Sequence, residues 1–136
     1  ANMFGAGFIG SPKMNFLQAA VAASDAKSLT LSHPAFVGGK LALETPAAGK
    51  VKAGDTVNVG MRPEHLALSP AVPLLSLTLD LEENLGGSTQ IYARGGDSDA
   101  IVIVAPGRPD LSAGDTITAG IDPRHLYLFD AAGTAL

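Results

Sequence analysis

An all-β fold, either one pseudo-symmetric barrel or two similar half-barrels, is what this 136-residue sequence predicts, and three observations carry it. A unit beginning Ala-Gly-Asp-Thr occurs twice, at Ala53 and at Ala113. The segments between the frequent glycines and prolines are short and rich in Val, Ile, Leu and Thr, the pattern of strands joined by turns. The run Leu75 to Glu82 alternates apolar and polar side chains without a break, as a strand does with one face on a core and one in water.

In chain order, Asn2 caps a short helix over Met3 to Ile9, which Gly10-Ser11-Pro12 ends. Met14 to Ala23 reads as a strand, followed by strands at Ser28 to Leu31, Lys40 to Glu44, Thr56 to Met61 and Leu66 to Leu68. After Leu75 to Glu82 come Gln90 to Arg94 and Ala100 to Ala105, a strand pair joined by the turn signal Gly95 to Asp99. Thr116 to Ile121 and Leu126 to Phe129 complete the set.

The repeat aligns Ala53 to Leu68 with Ala113 to Leu128, without a gap, at an offset of 60 residues. Ala-Gly-Asp is a tight turn in which Gly takes positive φ and Asp bonds its own backbone. Thr-Val-Asn-Val and Thr-Ile-Thr-Ala are strands entered from that turn. The next glycine, Gly60 or Gly120, permits a bend or a close approach. Pro-x-His-Leu forms a single helical turn with proline preset at its first position, and Leu66/Leu68 or Leu126/Leu128 start the following strand. Two copies are too few for a solenoid, whereas barrel closure removes exposed edges.

Composition narrows the function classes. Hydrophobic residues make up 46% of the chain, enough to bury a core. The net charge is -4 and Lys and Arg are scattered singly, so a nucleic-acid partner is not expected. Without cysteine there is no disulfide framework, thiolate metal site or cysteine nucleophile. No stretch approaches the roughly 18–20 apolar residues of a membrane-spanning helix. The opening Ala1-Asn2-Met3-Phe4 lacks an initiator methionine and a basic leader, and reads as the start of an excised domain.

Catalytic patterns are missing. There is no GxxxxGK[ST] loop, and the pairs Gly38-Gly39, Gly86-Gly87 and Gly95-Gly96 read as turns. His33, His65 and His125 lack zinc-ligand spacing, and structural hydrogen bonding is the expected role of His65 and His125. Glu82 and Glu83 are adjacent, so on a strand they point to opposite faces and make a poor acid/base pair. No covalent chemistry, metal or cofactor is expected of this stretch.

The segment Ala1 to Leu17, ANMFGAGFIGSPKMNFL, resembles the junction after the nucleotide-binding domain in ATPase subunits of maltose-type and glycerol-3-phosphate-type importers. Gly60 to Leu66 resembles that family's G.RPEHL, and Glu83 to Tyr92 its E.LG....VY region. Pro106-Gly107-Arg108, Ala113 to Thr116 and Leu126 to Asp130 continue the series in order. The resemblance implies an OB-like or TOBE β-barrel with pseudo-repeated halves and a short N-terminal helix. It divides the chain into a junction, 1–12, and a regulatory domain, 13–136. It further implies a homodimer at the cytoplasmic face of the membrane, contact with membrane subunits through the missing ATPase domain, and a possible regulatory protein as partner. ATP and Mg belong to that missing domain.

Within this frame Arg62, Glu64 and His65 are the candidate interface residues, because charged side chains on a proline-initiated turn at a strand end can pair across a two-fold axis. The alternative is that Arg62 and Glu64 brace their own barrel. A second functional reading is an oxyanion-binding module of the molybdate-binding kind, with amides of Gly86-Gly87-Ser88 cradling the anion.

Overall fold

The computed structural model describes residues 13–96, 98 and 100–136, so the helix expected over Met3 to Ile9 and the junction 1–12 lie outside the described residues. Ten strands follow one another: β1 (Asn15–Ser24), β2 (Ser28–Ser32), β3 (Lys40–Glu44), β4 (Thr56–Met61), β5 (Ala67–Leu68), β6 (Leu75–Asn84), β7 (Ser88–Arg94), β8 (Ile101–Pro106), β9 (Thr116–Gly120) and β10 (Tyr127–Phe129). Among the described residues, helical structure is confined to short 3-10 turns. The expected strands are all present. β1 runs one residue beyond its expected end, and β6 continues to Asn84, where a hairpin through Gly86 returns it as β7.

The strands form two curled antiparallel sheets, ordered β10-β4-β1-β2-β3 and β5-β9-β6-β7-β8. Each sheet takes four consecutive strands from one half of the chain and a short fifth strand from the other half. Leu128 of β10 pairs with Val59 of β4, and Leu68 of β5 pairs with Ala119 of β9. The repeat offset converts each of these pairings into the other. The fold is therefore one pseudo-symmetric unit with exchanged strands, and each half lacks its fifth strand without the other.

The two halves reuse one device to set register. The Gly54 and Gly114 turns, at φ 92° and 90°, bring their backbone against the strand that opens each half. Gly54 N–H donates to Val21 O at 2.9 Å and Val21 N–H to Asp55 O at 2.8 Å. In the other half Gly114 N–H donates to Leu79 O at 2.8 Å and Leu79 N–H to Asp115 O at 2.9 Å. Both clips coincide with a bulge, between Val21 and Ala23 in β1 and between Leu79 and Leu81 in β6. A bulge bends its strand and raises the local twist, which curls each sheet.

The period-two pattern of β6 buries Leu75, Leu77 and Leu79. They join Leu17, Leu29, Leu31, Val57, Val59, Ile91, Ile101 and Ile103 in one core shared by both sheets. Each such leucine contributes about 1.5–3 kcal/mol relative to exposure. Asn15 and Thr89 are the buried polar residues among those described. Asn15, on β1, has its Nδ2 donating to Val102 O at 2.8 Å and its Oδ1 accepting from Val102 N–H at 2.8 Å. One amide side chain thus ties the first sheet to β8, the edge of the second.

Candidate functional site at the paired proline turns

Pro63–His65 and Pro123–His125 each form one 3-10 turn, as the Pro-x-His-Leu spacing predicts. Proline opens each turn, and in each a backbone N–H of the closing leucine, Leu66 or Leu126, bonds the proline carbonyl. The strand exchange brings the two turns together. The imidazoles of His65 and His125 stack with centroids 4.0 Å apart and planes inclined by 27°. Because these are the same position of the repeat, the pseudo-two-fold passes between the rings.

Ring stacking, rather than the expected hydrogen bonding, is the contact these two histidines share. His65 Nδ1 is buried and has no hydrogen-bond partner among the described residues. The hydrogen-bonded histidine is His33, whose Nδ1 accepts from Ala35 N–H at 2.9 Å. Sequence reasoning marked His65 and His125 as equivalent. Their contact depends on the exchange of β5 and β10, for which no local residue pattern exists.

The remaining candidates divide. The Arg62 guanidinium lies over the Tyr127 ring, 5.7 Å from its centroid, a contact within its own barrel. Glu64 is exposed and enters no ion pair among the described residues. At the equivalent positions of the second turn, Arg124 Nη2 and Asp122 Oδ2 pair at 2.7 Å, and Asp122 also accepts from Arg124 N–H at 2.9 Å. The Arg124 side chain above all holds the Asp122 carboxyl down, at a pKa of about 2. The repeat equivalent of Tyr127 is Ala67, which offers no ring, and the second turn pairs its arginine within itself.

A groove of about 640 Å³ opens beside the turns, lined by Leu41, Leu43, His65, Val72, Leu74 and Leu126 among others. The Gly86-Gly87 turn offers less to an anion, since Gly86 N–H is taken by Asn84 Oδ1 at 2.8 Å and Leu85 N–H by Ser88 O at 2.8 Å. Glu83 accepts from Tyr92 OH at 2.7 Å, whereas Glu82 lines a separate polar recess with Arg108. The adjacent carboxylates accordingly do not converge. No group of three or more His, Asp or Glu side chains that could hold a metal occurs among the described residues. No helix there is long and apolar enough to cross a membrane.

A family model described as the TOBE domain matches residues 59–129, more than half of the chain. The chain belongs to the TOBE domain family. A second model, the MalK OB fold domain, matches residues 10–66, so the two meet over β4 and the His65 turn, where the halves exchange strands. Among similar proteins is the lactose transport ATP-binding protein LacK of Rhizobium radiobacter, 39% identical over 97% of this chain and 37% of that protein. The sn-glycerol-3-phosphate import ATP-binding protein UgpC of Ruegeria sp. (strain TM1040) is 36% identical over 96% of this chain and 33% of its own length. The maltose/maltodextrin import ATP-binding protein MalK of Vibrio vulnificus (strain YJ016) is 33% identical over 98% and 36%. The chain thus spans only 33% to 37% of the length of these relatives. A solved structure of the cytoplasmic molybdate-binding protein ModG shares the fold, with a TM-score of 0.64 at 16% identity, covering 89% of this chain and 97% of that one.

Proposed function

We propose that this chain is the regulatory and dimerisation domain of the ATP-binding subunit of an ABC importer for sugars or glycerol-3-phosphate. The observation that carries the reading is the similarity to LacK, MalK and UgpC along nearly the whole chain. In the complete subunit a separate domain binds ATP and Mg and hydrolyses ATP to drive import. That domain engages the membrane subunits, which holds the assembly at the cytoplasmic face of the membrane. The barrel contributes a rigid body that pairs with its copy and offers a surface to a regulatory protein. Its rigidity has a physical basis in the exchanged strands and in the Asn15 clamp between the sheets.

Of the three interface candidates, Glu64 and His65 retain the stronger claim, because Glu64 is exposed and His65 lines the groove. Arg62 is engaged with Tyr127. A chimera tests the reading. This chain would replace the corresponding tail of LacK, and lactose uptake and ATP hydrolysis would be measured in cells lacking the native subunit. Restored uptake is expected. A chimera that is made and folded but supports neither uptake nor ATP hydrolysis would count against it.

A molybdate-type anion site is the second reading, favoured by the shared fold with ModG. The occupied amides of the Gly86 turn weaken it at that position. Calorimetry with molybdate and sulfate separates the two readings.

A further inference from the structure

We infer that the open edge of β3 is a self-complementary surface for a second copy of this chain, pairing antiparallel about Ala42. The inference rests on the homodimer proposed above and names the surface that makes it.

β3 is the last strand of its sheet. His33 N–H donates to Gly39 O at 3.1 Å and Thr45 N–H to Lys27 O at 2.7 Å, at the two ends of the β2–β3 ladder. Hydrogen-bonded pairs alternate along an antiparallel ladder. Leu29↔Leu43 and Leu31↔Leu41 are therefore the bonded pairs between those ends. Lys40, Ala42 and Glu44 accordingly turn their N–H and C=O groups away from β2, toward the open edge. All three residues are exposed.

The strand reads Lys-Leu-Ala-Leu-Glu, and its ends carry opposite charges at equal distances from Ala42. An antiparallel copy centred on Ala42 sets each Lys40 opposite the other chain's Glu44, at positions whose backbone groups are the ones left open. A two-fold axis perpendicular to the sheet keeps like faces together, so Leu41 and Leu43 of both copies share the apolar side. Opposite charges directly across a strand pair attract and like charges repel. A lysine alone would repel a second edge of the same kind. Lys40 and Glu44 at mirrored positions instead select it in one register.

The apolar surface continues beyond the strand. Leu41 and Leu43 line the groove that also holds His65, and Val72 at its rim is 81% exposed. A second copy on the β3 edge lies beside this rim and covers it. The groove thereby links the β3 edge to His65, one of the residues singled out for an interface.

Sedimentation equilibrium of the chain and its charge variants tests the surface. The unaltered chain is expected to dimerise. Lys40→Glu alone or Glu44→Lys alone creates two repulsive pairs across the axis and is expected to weaken the dimer about tenfold or more. The double variant Lys40→Glu/Glu44→Lys restores both pairs and the dimer, which a general loss of folding cannot imitate. In the cysteine-free chain, Ala42→Cys is expected to form a disulfide-linked dimer on mild oxidation, because hydrogen-bonded antiparallel partners lie at disulfide distance. Ala113→Cys, on an exposed turn elsewhere, is not expected to do so. A dimer insensitive to either single charge reversal would overturn this surface and leave the domain's proposed role in the subunit intact. A chain monomeric at its highest soluble concentration would overturn it as well, and the chimera assay would still report independently on that role.

Discussion

His65 and His125 stack at 4.0 Å, and in doing so join the two copies of the repeat at their symmetry point. The contact is energetically lopsided. The rings gain from packing on each other, but His65 buries an Nδ1 with no partner among the described residues. A stacked pair contributes about 0.5–1.5 kcal/mol, and an orphaned buried polar atom costs about 1–3 kcal/mol. His65→Phe keeps the ring and removes the orphan, so it is expected to leave stability unchanged or raise it by about 1 kcal/mol. His65→Ala and His125→Ala are expected to lower it, with a coupling energy of about 0.5–1.5 kcal/mol in a double-mutant cycle. Urea unfolding of the unaltered chain, His65→Phe, the two alanine variants and their double variant measures both effects. Strict additivity of the two alanine variants would show that the stack carries no energy.

The histidine pair also marks where sequence reasoning stops. β6 was legible because Leu75, Leu77 and Leu79 alternate with polar residues, and period two is a local property. The turns at Gly54 and Gly114 were legible because positive φ and an Asp side-chain acceptor are local requirements. The exchange of β5 and β10 depends on register between segments some 60 residues apart, and strands of two and three residues carry almost no pattern. The Arg62–Tyr127 contact and the stacked histidines both follow from that exchange, so both escaped. The same holds for Asn15. Its place in the family-like MNF motif was visible, but its partner in β8, 87 residues away, was not.

The repeat's second glycine has different neighbours in the two halves, and the difference predicts unequal costs. A Cβ at Gly60 would meet Met14 Sδ at 2.5 Å and Phe16 Cε1 at 3.2 Å. The thioether is the flexible end of a side chain and can swing away. A Cβ at Gly120 would meet Val72 O at 2.8 Å and Pro70 Cγ at 2.7 Å, a carbonyl and a ring with little freedom. Gly120→Ala is therefore expected to cost about 3 kcal/mol, and Gly60→Ala about 1–2 kcal/mol. Gly54→Ala meets nothing within 4 Å and carries only the strain of φ +92°, about 1–2 kcal/mol. Thermal unfolding ranks the three. Equal losses at Gly60 and Gly120 would mean that the Pro70–Val72 segment yields more readily than its backbone contacts imply.

Asn15 holds Val102 by both backbone groups, so its removal leaves an N–H and a C=O of β8 unpaired. Asn15→Ala is expected to destabilise the chain by about 2–3 kcal/mol. Asn15→Leu, which keeps the bulk, is expected to destabilise it in the same direction. Asn15→Asp keeps the acceptor for Val102 N–H but sets a carboxylate oxygen against Val102 O, and is expected to be at least as harmful at neutral pH. Hydrogen exchange at the Val102 amide is the most direct measurement. Its protection should fall in the alanine and leucine variants more than that of Ile103, whose neighbour in β7 is unchanged.

The Asp122–Arg124 pair predicts a pH response of defined sign. The guanidinium hydrogen bond is the largest cause of the depressed Asp122 pKa, followed by the Arg124 backbone N–H, and together they bring it from 3.8 to about 2. A carboxyl with a lower pKa in the folded chain than in the unfolded one favours folding above its ordinary range. That contribution fades as pH falls from 3.8 through about 2. Both side chains are exposed, so the effect belongs to the site and not to global stability. Carboxyl NMR shifts followed with pH should show Asp122 titrating near 2. Arg124→Ala removes the leading cause and should move that midpoint back toward the ordinary carboxylate range. Asp25 provides the internal control, because its lowered pKa comes first from the backbone N–H of Lys27 and then from that of Ser28. Arg124→Ala should leave the Asp25 midpoint in place, and an equal shift at both residues would mean that the variant disturbs the fold and not the pair.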